Sequence, residues 1–245
     1  MILYKKENGD IFKENSRTFD VEFLDDCDEV EFENDIALAF ASQEDVSVDD
    51  KGRSFLAIPN DVTKICEMAC SGLSAETVTI PASVREIESG AFGLCENTKK
   101  VVWERNNEKN ANLTNSLVIG ENAFMKTGIK RLVLPTNCVV EKGAFSWCNN
   151  LKDIRLFNGK LSKFAPLGQI FEGSENIETM ILPIEVGVKN RDFLRSLQKL
   201  NRVVFYEKNM RDKNNMAYIF SKKKQNFEDF DRFLMDCQMG KTKQN

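Results

Sequence analysis

Ile80-Pro81-Ala82-Ser83-Val84-Arg85-Glu86-Ile87-Glu88-Ser89-Gly90-Ala91-Phe92-Gly93-Leu94-Cys95 is the clearest copy of a unit that recurs along this 245-residue chain. Each copy opens on an aliphatic residue and often Pro, passes through an Ala-Phe step, and ends in a short apolar alternation. A second copy runs from Leu134-Pro135 through Val139, Gly143-Ala144-Phe145 and Cys148 to Leu151, Ile154 and Leu156. An earlier one is Ile58-Pro59, Val62, Ile65 and Ala69-Cys70, with Cys in the place of Phe. Weaker units carry Leu117-Val118-Ile119, then Phe171, Gly173, Ile177 and Leu182-Pro183, and finally Leu200, Val203 and Phe205. Ala39-Phe40 reads as a worn first copy of the Ala-Phe step.

Ile58 to Ile80 is an interval of 22 residues and Phe124 to Phe145 one of 21, inside the roughly 20–29 residues of a leucine-rich repeat. Phe92 to Phe124 is 32, and the excess coincides with the polar stretch Glu104-Arg105-Asn106-Asn107-Glu108-Lys109-Asn110, which is placed as a loop between repeats. A unit this short is a strand, a turn and a short helical segment, and it cannot bury its own apolar face, so its neighbours must cover it. Pro59, Pro81, Pro135 and Pro183 each follow Ile or Leu, where strand pairing stops and a residue without a donor N–H is tolerated. The expected fold is a leucine-rich repeat solenoid. Its short strands form one curved sheet, with turns and short helical segments opposite and a helical cap at the C-terminus.

These residues resemble the BspA-type leucine-rich repeat family, also called the Treponema pallidum type. Its units read close to Ile-Pro-x-Ser-Val-x-x-Ile-Gly-x-x-Ala-Phe-x-x-Cys-x-x-Leu. The stretch from Val48 to Pro59 is similar to the longer, hairpin-bearing units of that family. Cys70 for Phe, Thr127 where Cys95 and Cys148 stand in sister repeats, and the missing Pro of the Leu117 unit depart from the pattern. The resemblance implies a surface or secreted binding and adhesion protein.

Three regions follow: residues 1–54 as an acidic cap with short strands, 55–205 as degenerate repeats, and 206–245 as a basic helical cap. In the first, Phe19, Val21, Phe23, Val30 and Phe32 alternate with acids at the period of a half-exposed strand. In the last, Phe227, Phe230, Phe233, Leu234 and Cys237 have the three- and four-residue spacing of an amphipathic helix. Residues 1–50 hold 16 acids and 4 bases, a local net of −12, and residues 186–245 hold 7 acids and 14 bases, a local net of +7. Such opposed ends suit solvated caps or electrostatic head-to-tail self-association.

The chain contains no His, which removes the commonest general base and metal ligand. Its seven cysteines, Cys27, Cys66, Cys70, Cys95, Cys138, Cys148 and Cys237, are an odd number, and only Cys66 and Cys70 approach metal-ligand spacing. Cys95 and Cys148 hold equivalent places in their repeats and read as buried small hydrophobes. Asp25, Asp26 and Asp28 lack the spacing and Gly of a calcium loop. Lys222-Lys223-Lys224 has no interleaved aromatics, so no specific nucleic-acid or membrane signal is present. No phosphate-cradling glycine loop appears. No catalytic residue, metal or cofactor is expected.

The opening residues lack the apolar stretch of about 7–15 residues of a signal peptide, and no run of about 18 apolar residues occurs. A cytoplasmic location is expected from these residues, and a cell-surface or secreted one if a leader has been trimmed away.

If Leu151, Ile154 and Leu156 point inward, the residues between them point out, which exposes two columns. The first is Thr77, Lys100, Arg131, Asp153, Thr179 and Arg202, and the second is Thr79, Val102, Val133, Arg155, Ile181 and Val204. A basic and polar column beside a β-branched one is a candidate surface for another protein. The expected function is a non-catalytic recognition scaffold. The alternatives are a cysteine- or carboxylate-dependent enzyme or secreted effector that uses the repeats for substrate recognition, and a structural self-assembly unit.

Overall fold

Two segments of most repeats alternate apolar with polar residues, and the side chains of a strand alternate faces at that same period. Most repeats therefore contribute two strands rather than one. The computed structural model of the chain describes residues 2–5, 11–13, 36–104, 117–135, 138–156, 165–206, 217–221 and 232.

One wall is a seven-stranded sheet of order β12-β10-β8-β6-β3-β1-β2. It is made of β1 (Ile2–Lys5), β2 (Ile11–Lys13), β3 (Ile36–Phe40), β6 (Val62–Ile65), β8 (Glu86–Ile87), β10 (Leu117–Ile119) and β12 (Cys138–Val140). The second wall is two sheets. β4 (Ser47–Val48), β5 (Ser54–Ala57), β7 (Thr77–Pro81) and β9 (Lys100–Glu104) form the first, and β11 (Arg131–Leu134), β13 (Asp153–Leu156), β14 (Thr179–Pro183), β15 (Arg202–Tyr206) and β16 (Ala217–Ser221) form the second. Strands of successive repeats pair in parallel. Antiparallel partners stand at the ends, β1 beside β3, β4 beside β5, and β16 beside β15. The β4–β5 pair is the hairpin expected over Val48 to Pro59; its turn holds Gly52 at φ +73°, and Asp49 Oδ1 accepts from the Lys51 and Arg53 N–H groups.

Instead of one curved sheet faced by short helical segments, the described residues thus form three sheets. Segments such as Glu86-Ile87 are too short to repay the dihedrals that a first helical turn fixes, whereas each added strand gains a ladder from its neighbour. Among the described residues a 3-10 turn stands at Gln43–Asp45, and α-helices appear late, as α1 (Leu167–Ile170), α2 (Ile184–Lys189) and α3 (Arg191–Ser196). The second wall splits between β9 and β11: Lys130 N–H donates to Lys99 O at 3.3 Å, and no ladder follows it among the described residues. There the larger Trp103 takes the inward place that Ile80 holds one strand earlier, and its ring meets Phe124 edge-on at 6.0 Å. Among the described residues the last sheet ends on the strand β16. The helix expected over Phe227 to Cys237 lies outside the described residues apart from Arg232, which is helical, and the strands expected around Phe19 to Phe32 lie outside them too.

A corner joins the two walls and is also hydrogen-bonded from repeat to repeat. Cys70, Phe92, Phe124 and Phe145 donate their N–H groups to Ala91, Ala123, Ala144 and Ile170. Gly90 and Gly143 precede the Ala-Phe steps at φ +61° and +69°, a region glycine enters without a Cβ penalty. Inside the corner the rings of Phe92, Phe124, Phe145, Phe171 and Phe193 stack in succession, with centroids 5.0–6.3 Å apart. At the first turn Ala41, not Phe40, donates to Ala69 O. The Ala39-Phe40 reading is therefore one residue out of register: Ala41 is buried and Phe40 is 47% exposed.

Candidate functional site

Inward Val78, Ile80, Leu132, Leu134, Ile154, Leu156, Met180 and Leu182 are each at most 2% exposed, which turns the residues between them outward. Arg131, Asp153, Thr179 and Arg202 are consecutive cross-strand partners, and so are Val133, Arg155, Ile181 and Val204. Thr77 partners Lys100 and Thr79 partners Val102. The two columns exist within each sheet and are interrupted between β9 and β11.

Lys100, Arg131 and Arg202 are exposed and Val133 is 37% exposed, while Val102, Asp153, Arg155, Thr179 and Ile181 are half-buried. Val204 is a correction: it is 5% exposed and offers no surface. Val203-Val204-Phe205-Tyr206 is a continuous apolar run, the pattern of a strand covered on both faces, and all four are buried. Beyond Val204 the next outward residue in register is Ile219, 44% exposed.

Asp153 sits between two guanidinium groups, with Arg131 Nε at 2.9 Å and Arg155 Nη2 at 3.2 Å. One place before the strands runs a second ladder that the column pattern misses. Its members include Lys99 paired with Glu76 at 2.9 Å, Lys130, and Lys152 paired with Glu178 at 2.7 Å. The available signal was a charged residue just before each strand, recurring at the repeat interval. Exposed pairs of this kind contribute about 0.2–1 kcal/mol each, so they set register and surface potential more than stability. No acid pairs with Lys100, Lys130 or Arg202 among the described residues, and the face is left with uncompensated positive charge.

On the seven-stranded wall the outward Lys64 is committed to its neighbours. Burial alone would lower its pKa, yet Glu88 at 2.5 Å and Glu86 at 3.7 Å hold it above the usual lysine value.

The buried cysteines among the described residues are structural in their surroundings. Cys95 Sγ donates to Cys70 O at 3.1 Å, and Cys148 Sγ to Phe124 O at 3.3 Å. Ser174 Oγ makes the same kind of bond to Phe145 O at 2.9 Å, whereas Thr127 Oγ1 turns to the carbonyl of its own repeat, 3.0 Å from Phe124 O, and lies 3.2 Å from Cys148 Sγ. Thr127 therefore keeps a satisfied buried hydroxyl at this place without the bond to the preceding repeat that Cys95 and Cys148 make. Burial pushes the Cys70 and Cys148 thiols up and raises Cys95 to about 11, which suppresses the nucleophilic thiolate. Cys66 and Cys70 gather no metal-ligand cluster among the described residues. Cys27, Cys237, Asp25, Asp26, Asp28 and Lys222 to Lys224 lie outside the described residues. Met68, Leu94 and Trp147 form a further exposed set on the corner, all at positive φ.

The pattern of a family described as the BspA type Leucine rich repeat region matches residues 51–116 and 117–230, in 6 copies. Among solved structures, the chain is similar to a leucine-rich repeat protein from Bacteroides ovatus, at 19% identity and a TM-score of 0.40, over 64% of this chain and 45% of that one. It is also similar to a leucine rich cell surface protein from Faecalibacterium prausnitzii, at 19% identity and a TM-score of 0.25, over 60% of this chain and 52% of that one. The chain thus spans about half the length of each. No curated protein matches it. The cytoplasmic placement expected from the opening residues gains no support from these comparisons. Among the described residues no helix is long and apolar enough to cross a membrane.

Proposed function

The chain belongs to the BspA type leucine-rich repeat family, and from that premise we propose that it is a non-catalytic recognition scaffold, a solenoid that binds another protein through the outward face of its second wall. Residues 1–54 and 206–245 act as caps on a repeat region of residues 55–205. The observation that carries this reading is the cross-strand register, which sets the exposed cations Arg131 and Arg202 in one column beside Val133 and Ile181, with Lys100 and Val102 at the matching places of the preceding sheet. Asp153, Arg155 and Thr179 fill the places between. A rigid row of charges beside a row of β-branched side chains suits a protein surface, because the charges steer the approach and fix register while the apolar row is desolvated. Burial leaves Val204 out of this face.

The test is capture from the native lysate with the wild-type chain and with Arg131→Glu combined with Arg202→Glu. Proteins held by the wild type and released by the double variant support the reading. An unchanged set of bound proteins moves the site to another face.

A further inference from the structure

The charge asymmetry has a place among the described residues: Glu44, Asp45, Asp49 and Asp50 lie on and beside β4, and Lys189, Arg191 and Lys199 lie on the elements just before β15. The second wall begins at β4, within the acidic first 50 residues, and ends at β15 and β16, within the basic last 60. Nine strands at about 4.8 Å place its two edges roughly 40 Å apart, several times the screening length of about 8 Å at physiological salt. The ends therefore act as separate patches and do not average to neutrality.

Each end pairs its charge with exposed apolar surface. At the first end Val48 is 64% exposed beside Asp49 and Asp50, with Glu44 and Phe40 also exposed. At the last end Ile219 is 44% exposed on β16, and Arg191 and Lys199 are exposed and Lys189 half-buried on and around α2 and α3. Among the described residues β4 and β16 each finish a sheet without a further strand, the kind of edge that another chain can pair with.

We infer that the acidic first end of one molecule docks on the basic last end of a second copy, a head-to-tail contact that uses different elements from the proposed strand face. A contact between unlike surfaces does not close on itself at two subunits, so it continues into longer assemblies.

The test is sedimentation velocity of the full chain across a concentration series, at about 0.01 M salt, where the screening length is about 30 Å, and at about 1 M, where it is about 3 Å. At low salt, species larger than a dimer grow with concentration, and at high salt they revert to monomer. Glu44→Lys with Asp50→Lys disables the first end, and Arg191→Glu with Lys199→Glu disables the last. Each variant alone is monomeric at low salt. Their equimolar mixture assembles through the one acidic and one basic end left intact, and stops at two subunits. A wild-type monomer throughout, assemblies that survive at about 1 M salt, or a mixture no larger than its components would overturn the inference.

Discussion

The ring of Phe92 lies 5.0 Å from that of Phe124, centroid to centroid and 9° from parallel, although 32 residues separate them in the chain. Phe124 stacks again on Phe145 at 5.2 Å and 5°. A stack this regular across an interval ten or eleven residues longer than its neighbours means that the repeats on either side keep their alignment.

Phe124 is fully buried between two rings and against Trp103. Phe124→Ala removes all three contacts and leaves a cavity at the centre of the stack, with an expected loss of about 3–5 kcal/mol. Urea denaturation measures it, and a loss below about 1 kcal/mol would mean that the ring column is not a principal source of stability.

Gly173 sits at φ +70°, and a Cβ there would stand 2.6 Å from the indole of Trp147. Gly173→Ala must displace that ring as well as strain the backbone, with an expected loss of about 1–3 kcal/mol. In a Trp103→Phe background the emission of Trp147 reports the displacement. An unshifted spectrum with unchanged stability would contradict the packing.

Cys95 keeps its proton to about pH 11 in the folded chain, against 9.0 for the ordinary thiol, because burial disfavours the thiolate. Below pH 9 both states hold the proton and stability is unaffected; between 9 and 11 the unfolded thiol ionises first, so stability falls as pH rises. Chemical denaturation across that window is expected to show a steeper loss for the wild type than for Cys95→Ala. Equal slopes would place Cys95 in water.

Arg131 and Asp153 face each other across adjacent strands, and the Arg131 side chain is 67% exposed. A double-mutant cycle with Arg131→Ala and Asp153→Ala is expected to give a coupling of about 0.2–1 kcal/mol that shrinks in concentrated salt. A coupling insensitive to salt would mean the pair is more deeply desolvated than its geometry indicates.

Thr127 Oγ1 donates to Phe124 O within its own repeat, and Cys148 Sγ reaches the same carbonyl from the next repeat. Thr127→Cys is expected to cost less than about 1 kcal/mol, and Thr127→Val about 1–3 kcal/mol, through the lost donor at a buried carbonyl. Reversal of that order in thermal unfolding would show that methyl packing, not the hydrogen bond, fixes this position.

Ile80-Pro81, Gly90, Ala91-Phe92 and Cys95 by themselves determined the repeat, the stacking and the alternation of inward and outward side chains. A short unit with one oily flank has no other way to bury it, and a strand allows a side chain only two directions. That is why Arg131, Asp153, Thr179 and Arg202 were legible as a column before any coordinate was known. Tertiary structure alone decided what these local rules leave open. Glu86-Ile87 became a strand because a parallel neighbour was there to pair with, the second wall parted at Trp103, where a longer interval and a larger ring meet, and Val204 went under cover because β15 is buried on both faces. Pairing, enclosure and the approach of distant charges depend on which segments become neighbours, and Asp153 shows the point: Arg155 stands two residues on in the chain, but Arg131 meets it only across neighbouring strands, an adjacency that the linear order of residues does not contain.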